Sequence, residues 1–185
     1  MFYIVGLGNP GDEYENTRHN TGREAVEFFE NKNELSPKKL QIIHSNEFMN
    51  NSGKAVSKVI KSKKAAENLI VVHDDLDLPI GKIKISYNKG IGGHRGLNSV
   101  AKAVKTLEFT RIRVGISPVT TKGQAKKPGA NLSPKAAEKA VIDFILGKFK
   151  PKEKEILKKV FKKVAEAIQI IVTEGRDKAM NLYNQ

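Results

Sequence analysis

Apolar residues gather in five short runs, at 2–7, 40–43, 69–72, 83–87 and 112–116. Each has the length of a strand, and several are apolar at successive positions, as in Leu69-Ile70-Val71-Val72. Continuous rather than alternating runs predict strands covered on both faces. Between them the spacing becomes helical: Ala25, Val26, Phe28 and Phe29; Ala55, Val56, Val59 and Ile60; Val100, Ala101, Val104 and Leu107. Strands alternating with helices make an α/β sandwich. Beyond Pro118 a basic, turn-rich loop runs through 120–129, and Ser133-Pro134 predicts a helix start with an N-cap and an N1 proline. A last helix is expected from Pro151 towards Gly175, with Ile156, Val160, Phe161, Val164, Ile168 and Ile171 on one face and lysines on the other. With no internal repeat or composition break, residues 1–185 read as one domain.

Composition narrows the class. A chain of 185 residues buries one core without staples, and the absence of cysteine excludes disulfides and Cys-ligated zinc. No run approaches 18 apolar residues and no leader pattern opens the chain, so a soluble cytoplasmic protein is expected. Lysine and arginine (33) outnumber aspartate and glutamate (20), a net charge of +13. That surplus points to a polyanionic partner, nucleic acid before membrane, with plain solubility as the alternative.

The first strand leads into Gly6-Leu7-Gly8-Asn9-Pro10-Gly11, spelled like a dinucleotide-binding loop. Such a loop must open an amphipathic helix whose N–H groups hold a pyrophosphate. Here Asp12, Glu13 and Glu15 follow, bringing carboxylates to where phosphates would sit. The charges repel, and the loop needs another explanation.

Four polar segments carry candidate chemistry. His19, between Arg18 and Asn20 at a loop–helix junction, lies on no apolar stripe. His73-Asp74-Asp75-Leu76-Asp77 follows a buried strand at the edge where open α/β sheets place their sites. Three carboxylates suggest Mg²⁺ by composition, or helix capping. A carboxylate on imidazole Nδ1 would fix the tautomer and make Nε2 a base, and without a nucleophile-elbow serine or a cysteine such a pair would activate water. Phe48-Met49-Asn50-Asn51 and Gly90-Ile91-Gly92-Gly93-His94 precede helix starts. Their amides could stabilise an oxyanion, or cap helices; their glycines could admit a closely approaching chain, or only shape a turn.

Taken together the pieces resemble bacterial peptidyl-tRNA hydrolase over nearly the whole chain. The resemblance rests on Gly6-Leu7-Gly8-Asn9-Pro10-Gly11 with Tyr14 and Thr17-Arg18-His19-Asn20; Phe48-Met49-Asn50 with Ser52-Gly53; and His73-Asp74-Asp75-Leu76-Asp77-Leu78-Pro79 with Gly81. It continues through Gly92-Gly93-His94 with Gly96-Leu97, Arg111-Ile112-Arg113-Val114-Gly115-Ile116, and Phe144-Ile145-Leu146-Gly147-Lys148-Phe149. It implies a single α/β globule around a twisted mixed sheet flanked by helices. The implied reaction is hydrolysis of the ester joining peptide to tRNA, in a cytoplasmic monomer without cofactor, metal or membrane partner.

By the same resemblance His19 is the general base, Asp74 orients it, and Asn9 and Asn50 position water and the substrate carbonyl. Tyr14, Asn20, Met49 and Gly92 would line the channel for peptide and tRNA 3′ end. The basic residues that clamp a tRNA phosphate in the family match Ser86, which lacks the charge, and Arg113, which keeps it; Lys84 is the candidate to stand in. The chain departs from the family in having Arg95 after Gly-Gly-His, where asparagine is usual, so Arg95 joins the candidate substrate-binding residues. It also has a shortened segment before Phe48, with His44-Ser45 replacing a common Lys-Pro. Relatives that bind RNA as splicing factors without hydrolysis supply the alternative reading.

Overall fold

The computed structural model describes residues 1–32, 35, 36 and 38–185. Five strands form one sheet in the order β2-β1-β3-β5-β4: β1 (Phe2–Gly6), β2 (Leu40–Ile42), β3 (Leu69–Pro79), β4 (Ile83–Tyr87) and β5 (Thr110–Ser117). All neighbours are parallel except β4, which runs antiparallel to β5. The mixed α/β sheet and its helical flanks are as the sequence predicts.

Among the described residues seven α-helices flank it: α1 (Thr21–Glu30), α2 (Ser52–Val59), α3 (Lys63–Ala66), α4 (Arg95–Val104), α5 (Pro134–Leu146), α6 (Pro151–Glu174) and α7 (Arg176–Tyr183). Alternate β3 side chains separate two cores. Ile70 and Val72 pack with α1, α6 and α7 residues such as Phe29, Val164, Ile168 and Ala179. Leu69 and Val71 pack with Val56, Leu97, Val100 and Phe109 on the α2–α4 side. The sheet is covered on both faces, which explains its unbroken apolar runs.

Three boundaries differ from the sequence reading. β3 does not stop at Val72 but continues to Pro79, because β5 keeps pairing with it from Ile70 through Asp75 and, after an irregularity, at Pro79. Gly115 permits this: a Cβ there would meet the Pro79 carbonyl oxygen at 2.1 Å. Short α3, and α7 beyond Gly175, were not expected. α7 ends beside the sheet edge, where the Asn184 amide accepts from Ile85 N (2.7 Å) and donates to Ile85 O (2.9 Å), closing backbone groups of β4. The shortened segment after α1 includes positions 33, 34 and 37, outside the described residues.

Candidate active site

β1 pairs with β3 only as far as Gly6–Val72, so the β3 extension projects beyond it, and loop 7–20 fills the space alongside. Since the chain leaves β1 for β2 on one side and β3 lies on the other, this is a topological switch point at the strands' C-terminal ends. The loop is drawn in by close backbone contact. A Cβ on Gly6 would meet Gly22 O at 2.4 Å, and one on Gly22 would meet Val72 O at 2.3 Å and His73 Cα at 2.9 Å. After Gly11 comes a single 3-10 turn, Asp12–Tyr14, not a helix. The G-x-G-x-x-G spelling therefore serves packing: its first glycine lets the start of α1 lie on the sheet.

Arg18 anchors the same loop from the far side. Its guanidinium sits 4.5 Å from the ring centroids of both Phe144 and Phe149, and Nη2 donates to Glu153 at 2.8 Å. Glu24 holds the loop nearer its start, accepting from Asn16 N at 2.7 Å. Burial pushes the Glu24 carboxyl up to about 7, against the opposing Asn16 hydrogen bond.

Thus placed, His19 Nδ1 lies 3.0 and 3.1 Å from the two oxygens of Asp74. Both residues are buried. Asp74 Oδ1 also receives His94 Nε2 at 3.0 Å. The His94 tautomer is fixed by its other nitrogen, which accepts from Gly96 N (3.1 Å) and Leu97 N (3.3 Å) at the start of α4. Nδ1 being the acceptor, the proton is on Nε2 and is donated to Asp74. The three nearby ligand atoms of His19, Asp74 and His94 resemble a metal cluster in spacing, but a metal on His94 Nε2 would have to displace this proton.

Burial by itself would raise the Asp74 carboxyl, yet His19 and His94 together hold it well below the usual carboxylate range. Burial opposes charging of His19, but Asp74 overrides it and leaves the imidazole above its ordinary 6.5; the Arg95 guanidinium works against that rise. His73 is different. Its Nδ1–H donates to Asp74 O at 2.7 Å, burial lowers it to about 3, and its Nε2 has no hydrogen-bond partner among the described residues. His73 is a neutral wall of the cleft, whereas the His19 imidazole is the one held above its ordinary value.

Asn9 is held at three points. Its N donates to Asn20 Oδ1 (2.8 Å), its carbonyl accepts from Asn20 Nδ2 (2.9 Å), and its Oδ1 accepts from Met49 N (2.8 Å). With Oδ1 occupied, the Nδ2 donors are the part of the amide available to a ligand. Met49 is buried, whereas Phe48 and Asn50 are exposed. Neither Asn50 nor Asn51 caps α2 with its side chain.

These groups line one cleft of about 650 Å³. His19, Asp74, Asn9, Asn50, Met49, Gly92, Arg95 and Arg113 all face it. Tyr14 and Asn20 do not: Tyr14 packs edge-on against Phe48 at 6.2 Å, and Asn20 acts on Asn9 from behind. Lys84 also lies outside, exposed on β4 and in register with Arg113, whereas buried Ser86 is in register with Arg111. Gly92 and Gly93 have positive φ (63° and 78°) with open space around them, so they shape a turn at the rim, and no chain approaches them closely. Val141, Ile142, Ile145 and Leu146 of α5 form an apolar wall opposite the histidines, and Glu138 of the same helix reaches Arg95 at 3.6 Å. Sequence reasoning gave no role to His94, His73 or this wall.

The model of the peptidyl-tRNA hydrolase family matches residues 3–185. The chain belongs to that family. A peptidyl-tRNA hydrolase of Thermodesulfovibrio yellowstonii is 36% identical over 203 residues, covering 100% of both chains. One from a Thermotoga species is 38% identical over 98% of this chain and 96% of its own. The crystal structure of peptidyl-tRNA hydrolase from Acinetobacter baumannii superposes with a TM-score of 0.79 at 28% identity, covering 100% of this chain and 94% of that one. In this member of the peptidyl-tRNA hydrolase family the His19–Asp74 pair sits at the switch point of the shared fold, and Arg95 introduces a charge at its rim. No helix among the described residues is long and apolar enough to cross a membrane.

Proposed function

We propose that this chain hydrolyses peptidyl-tRNA through water activated by His19. The observation that carries the reading is the hydrogen bond from His19 Nδ1 to Asp74, which leaves Nε2 as a base facing a cleft that also holds Asn9 and Asn50. Nε2 takes a proton as water oxygen bonds to the ester carbonyl carbon. Asn9 Nδ2, aided by Asn50, donates to the oxyanion, and Asp74 stabilises the imidazolium without itself being protonated. Collapse breaks the bond to the ribose oxygen, which receives the proton from His19. The products are a peptide carboxylate and tRNA with a free terminal hydroxyl. Met49, Gly92 and the α5 wall guide the peptide, while Tyr14 and Asn20 act from behind, on Phe48 and Asn9.

Lys84 and Arg113, adjacent across β4 and β5, are assigned to a tRNA phosphate. Lys84→Ala would then flatten the salt dependence of tRNA binding by about 0.7–0.9 in log–log slope; an unchanged slope would remove the assignment. The reading includes a cytoplasmic monomer acting on translation products. The family match and the intact dyad give no support to the non-catalytic RNA-binding alternative.

The test is hydrolysis of N-acetyl-aminoacyl-tRNA in ¹⁸O-water. One labelled oxygen in the released carboxylate, with none in the tRNA, is expected. No cleavage, or label in the tRNA, would defeat the proposal.

A further inference from the structure

Peptidyl-tRNA and aminoacyl-tRNA carry the same ester and differ at the α-nitrogen, which is an uncharged amide in one and an ammonium in the other at low pH. That nitrogen is two bonds, about 2.5 Å, from the ester carbonyl carbon. An ester placed for attack beside His19 therefore brings its α-nitrogen into the immediate surroundings of His19, whatever the rest of the substrate does.

Arg95 stands at the edge of those surroundings. It opens α4 directly after His94, whose Nε2 touches Asp74, and it lines the same cleft as His19. Its charge is felt at the His19 imidazole, where it opposes protonation. Most other charges of the cleft are engaged by neighbours. Arg113 is held by Asp75 at 2.6 Å and lies 3.9 Å from Asp77, which also meets Lys127; Arg111 donates to Gly90 O at 2.8 Å; Lys89 is exposed at the rim. Asp74 is shared by His19 and His94, and His73 is neutral. From α5 Glu138 reaches Arg95 at 3.6 Å, with the two side chains 68% and 70% exposed, so water screens the pair and leaves the guanidinium free to turn to a ligand.

We propose that Arg95 is a specificity-determining residue: it disfavours a free α-ammonium at the scissile ester, donates to the acyl carbonyl of a peptide, and is tempered by Glu138. The chemistry is one-sided. A guanidinium has donors only and a permanent charge, an ammonium likewise, and an acyl carbonyl is an acceptor. An asparagine in this place would offer its carbonyl oxygen to the ammonium; arginine offers nothing. The inference rests on the hydrolase reading above and adds a reason for this chain's own side chain.

The test compares kcat/KM for N-acetyl-aminoacyl-tRNA and for the same unacetylated aminoacyl-tRNA between pH 6 and pH 9, corrected for spontaneous hydrolysis. Titration of His19 affects both substrates and cancels in their ratio. In the wild-type protein the preference for the acetylated substrate should weaken as pH rises through the titration of the α-amino group, ordinarily at about 8. Arg95→Asn should lower the preference at pH 6 by about two- to fivefold, the size of one exposed charge interaction, and flatten its pH dependence. Glu138→Gln should move it the other way. A ratio unaffected by Arg95→Asn at every pH, while the acetylated substrate is still cleaved, would overturn the inference alone. Cleavage of neither substrate by the wild-type protein would overturn the hydrolase reading and this inference with it.

Discussion

His94 Nε2 and His19 Nδ1 meet the same carboxylate oxygen of Asp74, each at 3.0 Å. The carboxylate is thereby fixed from two sides, and His94 does this while its Nδ1 caps α4. The two duties are separable by substitution. Asparagine caps a helix well but is too short to reach Asp74, so His94→Asn should keep its thermal midpoint within a few degrees of wild type and lose about ten- to a hundredfold in turnover, the worth of one charge-assisted hydrogen bond. His94→Ala should lose both. Wild-type turnover in His94→Asn would show that Asp74 does not need the second imidazole.

A base works when neutral, and Asp74 holds His19 above its ordinary 6.5. The rate should therefore rise with pH along an acid limb centred above 6.5. Asp74→Asn removes the countercharge, so the limb should move to lower pH while the plateau falls. His73, lowered to about 3, contributes no limb in this range. A profile of kcat/KM against pH for both proteins checks this; an unmoved limb would mean that another group is titrating.

Glu24 predicts an effect on stability rather than rate. Burial raises its carboxyl from an ordinary 4.5 to about 7. A raised acid favours the native state when protonated, so its contribution is fully present below about 4.5 and is lost as pH climbs towards 7. Glu24→Gln keeps an acceptor for Asn16 N and removes the titration. Compared with wild type it should melt higher at pH 8, by about 2–4 °C for each kcal/mol recovered, and the gap should close at pH 5. Equal gaps at both pH values would contradict the burial argument.

The approach of α1 to the sheet depends on a missing side chain. A Cβ at Gly22 would lie 2.3 Å from Val72 O, and backbone cannot yield as a flexible side chain does. Gly22→Ala should cost about 1–3 kcal/mol of stability as overpacking and, by displacing the segment that carries His19, about a hundredfold in turnover. Chemical denaturation and single-turnover cleavage measure the two. Normal turnover would mean that loop 7–20 tolerates the shift.

Much of this was legible because burial on both sheet faces leaves unbroken apolar runs in the central strands, as at Leu69-Ile70-Val71-Val72, while the edge strands β2 and β4 show apolar residues at alternate positions. The site was legible where residue type carries the chemistry, as at His19 and Asp74. What escaped depends on partners distant in sequence. The apolar pattern ends at Val72, and aspartates favour turns, yet β5 and its Gly115 keep β3 extended through Asp74 to Pro79. Gly92-Gly93-His94 reads as a turn before a helix, and it is one; the function of His94 comes from two backbone N–H groups that fix its tautomer. Gly175 reads as a stop, and α7 beyond it is weakly patterned, held by Asn184 on Ile85 and by Arg176 over the Tyr87 ring at 3.6 Å. Asn20 was placed in the channel by resemblance; it is not among the residues lining the cleft, and its amide makes one hydrogen bond through each end to the Asn9 backbone.

The most direct test of the central claim is single-turnover cleavage of N-acetyl-aminoacyl-tRNA by His19→Ala beside wild type, with tRNA affinity measured on the same preparations. A positioned base contributes about 10²–10⁴ in rate, and His19 Nε2 makes no hydrogen bond to another described residue that would tie it to tRNA binding. The account predicts a loss of at least a hundredfold in cleavage with affinity nearly unchanged. Near-normal cleavage by His19→Ala would contradict it.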